Sequence, residues 1–414
     1  MKILFVIDTF YTSNNGTSIS AQRYAAELRK RGHQVRILCG DKPKSMQAPQ
    51  AQSDDFCTGI FHFPIFQPLC EKNDFFYANA DKKIIQQACN WADIVHIYTP
   101  FFLSNATLSY CKQINKPVTA AFHVQPENIT SSFGLGKVKM LNNMIYRIFR
   151  HFTYSRVQHI HTPSNFIANQ LREHGYKAQM HVISNGIHDE FIQAGSNKFN
   201  TVSATTSENT IFKIMMIGRL SNEKRQDVII NALQYSKYKD RIQLVFAGRG
   251  PLKEHYLKLS KNLPIQPQFV YLNREQLISE LLTTDLYIHA SDMEIEAISC
   301  IEAFATGLVP VIANSSQSAT PQFALDERSL FQPGDPKDLA RAIDYWLDRP
   351  EERHLMEKKY ASSAHKYTLT NAVRRFESML YAELNNEIPA TISTRTPLFT
   401  SIKRQAIRLY KHIA

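Results

Sequence analysis

The sequence predicts an α/β protein made of two doubly wound domains that face each other across a cleft. Short apolar runs alternate with helical patterns along most of the chain, as expected for parallel sheets covered by helices. A polar segment at 195–210 interrupts this alternation once, after which it starts again. The length of 414 residues is sufficient for two separate cores.

The first half of the chain predicts one parallel sheet. Amphipathic segments such as 18–31, with apolar residues at helical spacing, lie between its strands. The predicted strands are 3–7, 35–39, 94–97, 118–122, 159–162 and 181–183.

The second half repeats the pattern and predicts a second sheet. Its predicted strands are 212–217, 243–247, 269–272, 286–289 and 309–313, and 336–387 is predicted to be mostly helical. We therefore expect a first domain over 1–195, a linker over 196–210, a second domain over 211–370 and C-terminal helices over 371–414. Ligands in such domains bind at the carboxyl ends of the strands.

Composition limits the cellular setting. The opening apolar run is too short for a signal peptide and fits a first buried strand. No apolar stretch approaches the roughly 20 residues of a membrane-spanning helix. The 6 cysteines include no Cys-x-x-Cys pair, which predicts free thiols in a reducing compartment. We expect a cytoplasmic protein, and its net charge of +11 points to an anionic partner, either nucleic acid or lipid.

The segment 291–313 carries the clearest chemical signal. It places Glu294 in a loop and Glu302 on a helix rich in small residues that ends at Gly307, before a strand. Free N–H groups at the start of such a helix bind anions, and two carboxylates can bind sugar hydroxyls, so we predict a nucleotide-sugar pocket. A fully helical spacing would separate the two carboxylates by roughly 12 Å. This exceeds the roughly 5–9.5 Å of glycosidase pairs and therefore counts against hydrolysis. The argument is weak, because the estimate assumes a helix and Glu294 is predicted to lie in a loop.

A second segment, 216–224, predicts a diphosphate clamp. A strand runs into Gly218, and Arg219 and Lys224 follow at the turn towards the next helix. Arginine binds phosphate oxygens in pairs and lysine supplies a compact charge, although two solvated surface cations would give the same pattern. The chain has no Asp-x-Asp triplet, so we expect neither a metal nor another cofactor.

Three weaker signals follow other predicted strands. His123 follows the predicted strand 118–122. It is either a functional residue that faces the cleft or a structural residue of the core. Gly16 follows the first strand and would let the backbone approach a phosphate, or it belongs to a plain turn capped by Thr17 or Ser18. The glycine loop at 247–251 is equally explained as a turn, and no Gly-x-Gly-x-x-Gly run supports a dinucleotide site.

In this order, the motifs resemble the retaining glycosyltransferases of family 4, which have the GT-B fold. The resemblance covers nearly all of 1–385 and includes the opening strand, the stretches 28–35 and 182–188, the Gly218–Lys224 turn, and two glutamates separated by seven residues. It implies two Rossmann-like domains, the first on the acceptor side and the second binding the nucleotide sugar, with the C-terminal helices returning to the first.

The resemblance also implies a role for each matched residue. Arg219 and Lys224 would hold the donor diphosphate, Glu294 the sugar hydroxyls and Glu302 the nucleotide ribose. His123 would lie near the anomeric carbon. The implied donor-binding set is Gly16, Arg219, Lys224, Glu294, Ile298 and Glu302. The implied catalytic set is His123, Arg219, Lys224 and Glu294.

The chain departs from the family pattern at two places. The family often has two glycines in the first loop, whereas here Asn15 precedes a single Gly16. It commonly has Phe-Gly two and three residues after the first glutamate, whereas here these residues are Glu296 and Ala297. The extra acid could contact donor or acceptor, which leaves the sugar open.

The positive charge is concentrated in two amphipathic segments. No acidic residue occurs between Asn128 and Arg172, while the apolar residues of 141–152 recur at helical spacing. The tail 401–413 repeats this pattern. Anionic lipid attracts such helices by about 1 kcal/mol per basic residue, although the first helix could instead pack its apolar face on the sheet. The apolar residues of that helix are Leu141, Met144, Ile145, Ile148, Phe149 and Phe152.

These features lead to a specific hypothesis. The segments 123–128 and 294–299 resemble bacterial diacylglycerol glycosyltransferases, which implies transfer from UDP-glucose or UDP-galactose to a diacylglycerol- or ceramide-type lipid at the cytoplasmic leaflet. The main alternative is a transferase of lipopolysaccharide, capsule or other glycan assembly. A nucleic-acid-binding protein is disfavoured because aromatic and basic residues are not interleaved. An inactive partner subunit is disfavoured by the complete set of candidate residues.

Overall fold

The computed structural model contains two parallel sheets, and this confirms the predicted α/β class with two Rossmann-like domains. It describes residues 1–11, 16–42, 54–61, 76–131, 134–136, 138–199 and 211–385.

The first sheet has seven strands in the order β3-β2-β1-β6-β7-β8-β9, and β4 and β5 form a separate antiparallel pair. The strands are β1 Lys2–Val6, β2 Gln34–Cys39, β3 Phe56–Cys57, β4 Ile60–Phe61, β5 Tyr77–Ala78, β6 Ile94–Ile97, β7 Val118–Ala121, β8 His159–Thr162 and β9 Gln179–Val182. All pairings within the sheet are parallel. Strands β3, β4 and β5 were not predicted, because two residues show no periodicity.

The second sheet has six strands in the order β12-β11-β10-β13-β14-β15, again all parallel. Its strands are β10 Phe212–Ile217, β11 Ile242–Ala247, β12 Gln268–Val270, β13 Leu286–His289, β14 Pro310–Ala313 and β15 Leu330–Phe331. Only the short β15 lacks a predicted counterpart.

Fourteen described α-helices surround the sheets. In the first half they are α1 Gly16–Lys30, α2 Lys82–Trp91, α3 Phe102–Gln113, α4 Pro126–Ser131, α5 Lys139–Phe152, α6 Asn165–Glu173 and α7 Asp189–Lys198. In the second half they are α8 Gln226–Ala232, α9 Lys253–Leu259, α10 Arg274–Leu282, α11 Ile298–Ala305, α12 Pro336–Leu347, α13 Pro350–Ala364 and α14 Leu369–Leu384.

Both faces of the first sheet are buried, which explains its nearly continuous apolar strands. Alternate residues of β1 enter different cores: Ile3 and Phe5 lie on one face, Leu4 and Val6 on the other. The first face is covered by α1 and α14.

Helix α14 belongs spatially to the first domain although it comes last in the described chain. Its Phe376 ring lies 5.1 Å from the ring of Tyr24 in α1 and 6.1 Å from that of Phe5 in β1. The chain therefore crosses between the domains a second time just before α14. The amphipathic tail predicted at 401–413 lies outside the described residues.

The first crossing corrects the predicted boundary at residue 195. Ile183 is buried in the first domain, whereas Ile187, Phe191 and Ile192 are buried in the core of the second. Helix α7 thus packs in the second domain, because its apolar face meets α11. The predicted linker at 196–210 begins inside α7, and its part from 200 to 210 lies outside the described residues.

The two crossings run side by side. The Ile187 N–H donates to the Tyr367 carbonyl at 2.9 Å, and the Leu369 N–H donates to the Ile187 carbonyl at 2.8 Å. The covalent connection between the domains is therefore a pair of hydrogen-bonded segments.

The remaining global expectations concern cysteines and membrane spans. Five cysteines of the described chain are free, including Cys89 and Cys111, whose sulfurs lie 3.6 Å apart. In the same part of the chain, no helix is both long and apolar enough to cross a membrane.

The packing of α7 on α11 gives a stability prediction. A Cβ on Gly195 would stand 2.0 Å from the backbone oxygen of Ala305, so neither backbone can yield easily. We expect Gly195→Ala to lower the free energy of unfolding of the second domain by about 1–3 kcal/mol. Urea unfolding measures this, with Gly16→Ala as the control, since no described atom lies within 4 Å of a Cβ there. Equal stability of the two variants would show that α7 does not pack this closely.

Candidate active site

The turn after β10 is held in place by a neighbouring glycine loop. The Leu220 N–H donates to the Arg249 carbonyl at 3.0 Å, and the Gly218 N–H to the Ala247 carbonyl at 2.9 Å. A Cβ on Gly248 would stand 2.0 Å from the Gly218 oxygen, and one on Gly250 2.3 Å from the Leu220 oxygen. Of the two interpretations of this glycine loop, the structure favours a supporting turn, because the glycines let the two loops approach.

The same turn is joined to the loop that carries the first glutamate. Lys224 Nζ donates to Glu294 Oε1 at 2.5 Å, and Arg225 Nη1 lies 3.1 Å from Asp292 Oδ2. The Asp292 N–H also donates to the Glu223 carbonyl at 2.9 Å. The predicted sites around residues 219–224 and 294 therefore form one unit at the carboxyl edge of the second sheet.

The charge on Glu294 is stabilised by its neighbours. Burial acts to raise the pKa of this carboxyl, but the Lys224 ammonium and a hydrogen bond from His289 outweigh it and hold the pKa well below its usual range. In return, Glu294 raises the pKa of Lys224 against the opposite effect of burial. The pair is thus ionised at neutral pH.

Sequence reasoning missed His289, which supports Glu294 from the end of β13. Its Nε2 lies 3.1 Å from Glu294 Oε1, so this nitrogen carries the donated proton. Its Nδ1 lies 3.1 Å from the hydroxyl of Tyr287, which is also 3.2 Å from Ser299 Oγ. The position of His289 at the end of a buried strand was the available signal, the same one that singled out His123.

Helix α11 begins with an unusual residue and ends as predicted. Ala297, at the N-cap, has φ 67° in the left-handed region that favours glycine. The position at which this chain departs from the Phe-Gly pattern is therefore one whose backbone conformation favours glycine. Gly307 follows the helix with φ 81° and donates its N–H to the Phe304 carbonyl at 3.0 Å, which confirms the predicted helix end. Ile298, the first residue of the helix, is half-buried and directly follows the loop that carries Glu294.

Glu302 lies in α11 but pairs with the first domain. Arg23 Nη2 of α1 lies 3.2 Å from Glu302 Oε1, and Arg23 Nη1 donates to the Gly186 carbonyl at 3.3 Å. Burial raises the pKa of Glu302, and the arginine partly opposes this effect. The predicted ribose ligand is therefore engaged by a cation from across the cleft, a partner that no local sequence motif indicated.

His123 is buried in the first domain, immediately beyond β7. Its ring stacks on Tyr98 at 5.6 Å between centroids and meets the edge of the His161 ring at 5.2 Å. Burial lowers the pKa of His123 well below its ordinary value, and the nearby His161 adds to this effect. Neither ring nitrogen has a hydrogen-bond partner among the described residues. The ring is neutral at physiological pH.

Arg219 and Gly16 complete the predicted set. Arg219 is half-buried on the turn after β10, where its carbonyl accepts a hydrogen bond from Gln226 Nε2 at 2.9 Å. Gly16 is exposed and is the first residue of α1. The space around it does not itself require glycine, so its predicted contact with a phosphate stays a prediction.

The described residues contain no group of three or more His, Cys, Asp or Glu arranged to hold a metal ion. The expectation that the reaction needs no metal stays a prediction. The groups that the structure does bring together are two cations, a buried ionised carboxylate and a helix start, at one edge of a sheet. Such an arrangement can bind a phosphorylated, hydroxyl-rich ligand.

Comparison with known proteins agrees with this geometry. The family model described as Glycosyltransferase Family 4 matches residues 14–191, and the model described as Glycosyl transferases group 1 matches 199–362. The chain is 24% identical over 379 residues to α-monoglucosyldiacylglycerol synthase of Streptococcus pneumoniae, covering 89% of this chain and 83% of that protein.

Solved structures are also similar. The HepE protein of Anabaena, in complex with UDP, is 16% identical with a TM-score of 0.70, covering 92% of this chain and 100% of that one. The catalytic domain of cholesterol-α-glucosyltransferase from Helicobacter pylori is 50% identical over 38% of this chain and 100% of its own, with a TM-score of 0.37. The two family models and the likeness to HepE lead to one conclusion: the chain belongs to glycosyltransferase family 4 and has the GT-B fold.

Proposed function

We propose that this glycosyltransferase is a retaining hexosyltransferase that acts on a membrane lipid. It moves glucose or galactose from a UDP-sugar to the hydroxyl of a diacylglycerol- or ceramide-type acceptor at the cytoplasmic leaflet. The observation that carries the donor side is the joined unit of Lys224, Glu294 and His289 beside Arg219.

The donor unit matches the charges of a nucleotide sugar. An ammonium has three N–H donors, so Lys224 can hold Glu294 and a diphosphate oxygen together. The ionised carboxylate of Glu294 accepts hydrogen bonds from sugar hydroxyls, and the guanidinium of Arg219 provides a second cation for the phosphates. Fixed charges of this kind stabilise a diphosphate as it leaves.

The reaction breaks the bond between the anomeric carbon and the diphosphate and forms one to the acceptor oxygen on the same face of the sugar. The acceptor proton passes to the departing diphosphate. Positive charge develops on the sugar ring, and a neutral His123 does not oppose it. Burial therefore suits His123 to a place beside the anomeric carbon, since a protonated ring there would repel the transition state.

The support for a lipid acceptor is the exposed face of α5. The buried face of this helix packs on the first domain through Tyr146 and Phe149. On the other side, every fourth residue is apolar and exposed, which makes a continuous apolar stripe. The stripe consists of Met140, Met144, Ile148 and Phe152. Met140 is 82% exposed and Phe152 is 55% exposed.

Basic residues flank this stripe, and α5 lacks acidic residues altogether. Lys139, Arg147 and His151 are exposed on the same helix. An apolar stripe with cations beside it is suited to the interface of an anionic membrane. The alternative, that α5 merely covers the sheet, accounts for Tyr146 and Phe149 but not for the stripe. We propose peripheral attachment through α5, with no role for nucleic acid.

A transferase of lipopolysaccharide or capsule assembly is the second candidate. Its acceptor would be a growing glycan, and the same donor unit would serve it. The exposed stripe on α5 favours an acceptor in the membrane over a soluble glycan, which gives no reason to leave four large apolar side chains in water.

The acceptor is tested directly with purified protein. We expect a glycolipid, detected by mass spectrometry, when UDP-glucose or UDP-galactose is supplied with liposomes carrying diacylglycerol or ceramide. GDP-mannose and cholesterol liposomes extend the panel to another base and to a sterol hydroxyl, and liposomes without a free hydroxyl serve as the control. Release of UDP without any glycolipid would contradict a lipid acceptor while leaving the family assignment intact.

The donor unit is tested by removing its cation. We expect Lys224→Met to lower turnover at saturating donor by about 10²–10³-fold, because a charge that stabilises the leaving diphosphate is lost. Lys253→Met, which removes an exposed lysine of the same domain, should behave like the wild type. Initial rates of UDP release measure both. A turnover within a factor of about two of the wild type would exclude Lys224 from the donor site.

The α5 stripe is tested by membrane binding. We expect Met144→Ser with Ile148→Ser to weaken partitioning onto phosphatidylglycerol liposomes by about tenfold, because apolar area no longer enters the interface. Leu355→Ser is the control, since Leu355 is also an exposed large apolar residue but lies in the second domain. Co-sedimentation measures the partition coefficients. Unchanged binding of the double variant would rule out α5 as the membrane-contacting element.

A further inference from the structure

The loop that carries Glu294 is fastened to the first domain by its own next residues. Glu296 is almost fully buried, and its Oε2 accepts hydrogen bonds from the backbone N–H of Asn185 at 2.8 Å and from Asn185 Nδ2 at 2.7 Å. Beside it, Ser164 Oγ donates to the Ile295 carbonyl at 2.6 Å. Three hydrogen bonds from the first domain thus hold two consecutive residues of a loop that belongs to the second.

Asn185 is in turn fixed within the first domain. Its Oδ1 accepts a hydrogen bond from Ser20 Oγ of α1 at 2.5 Å, and the preceding Ser184 carbonyl accepts one from Tyr24 Oη at 2.5 Å. Asn185 also lies in the first crossing between the domains, two residues before Ile187. A continuous set of contacts therefore runs from α1 through the crossing to the loop with Glu294.

We propose that Glu296 is a positioning residue, which uses its contact with Asn185 to place Glu294 for the donor sugar only when the two domains are together. This inference rests on the proposed donor site. Glu296 itself need not touch the substrate, because its carboxyl faces the crossing. Its effect on the donor passes through the backbone of Ile295, the one residue between it and Glu294.

The groups around Glu296 make this contact sensitive to pH. Arg23 and Tyr24 face it from α1, Ser184 and Asn185 from the crossing, and Tyr367 from the second crossing. Burial raises the pKa of Glu296 to about 7, against the opposing effects of the Ser184 hydroxyl, the Asn185 donors and Arg23. A carboxyl released to water would titrate near its ordinary value of 4.5.

The sign of the pH effect follows from this difference. Between pH 4.5 and about 7, the buried carboxyl of Glu296 binds a proton, whereas a carboxyl released to water does not. The contact between Glu296 and Asn185 is therefore most stable at low pH and loses stability as the pH rises through this interval. At pH values well above 7, both the buried and the released carboxyl are ionised, so the affinity becomes constant. Because the proposal links donor binding to the joining of the two domains, the donor dissociation constant should rise over that interval and then level off.

The experiment measures binding of UDP-glucose by calorimetry from pH 5.5 to 8, without lipid. In the wild type, we expect the dissociation constant to rise on the order of tenfold across this range. Glu296→Gln keeps an oxygen for Asn185 but cannot ionise, so its dissociation constant should stay flat. Glu254→Gln, at an exposed glutamate of the same domain, should follow the wild-type curve.

A second variant separates positioning from general stability. Asn185→Ala removes one of the two donors that favour the ionised carboxyl, and we expect the midpoint of the pH curve to move upwards. A wild-type curve that is already flat, or a Glu296→Gln curve that still rises like the wild type, would overturn the proposal. Failure of the wild type to bind any nucleotide sugar would instead overturn the proposed donor, which keeps the two outcomes distinct.

Discussion

The burial of three carboxyl groups within one short segment is the constraint on which the rest of this site depends. Glu294, Glu296 and Glu302 are each largely removed from water, and a buried carboxyl must be paired, hydrogen-bonded or protonated. The structure meets this need with a different partner for each: Lys224, Asn185 and Arg23, in that order. The segment from Glu294 to Glu302 can bury its three carboxyl groups only where Lys224, Asn185 and Arg23 are all close to it.

Two of the three partners come from the first domain, so the arrangement of Glu296 and Glu302 depends on the contact between the domains. The crossing segments at Ile187 and Leu369 are hydrogen-bonded to each other and bring α1 beside the start of α11. The residues proposed for donor recognition therefore also take part in the contact between the domains. Because Glu296 and Glu302 are buried against partners in the first domain, the contact between the domains and the pKa values of these two carboxyl groups are thermodynamically linked.

The departures from the family pattern now have a structural meaning. Ala297 adopts a left-handed conformation that glycine would adopt at lower cost. Glu296, where the family commonly has phenylalanine, places a carboxyl that accepts two hydrogen bonds from Asn185. Helix α5 shows a comparable division of roles, because one face completes the core while the other exposes large apolar side chains. Local sequence patterns indicated each of these positions without specifying what they contact.

Local sequence patterns were sufficient to predict most strands of the two sheets and to select the residues proposed for the donor site. Apolar runs placed most strands within one or two residues, and the motif spacing selected Arg219, Lys224 and Glu294, because both signals depend only on neighbours in the chain. Only the tertiary structure assigned α7 to the second domain and paired Arg23 with Glu302, residues that are far apart in sequence. Such long-range partners follow from how the two sheets are brought together, which no local periodicity encodes.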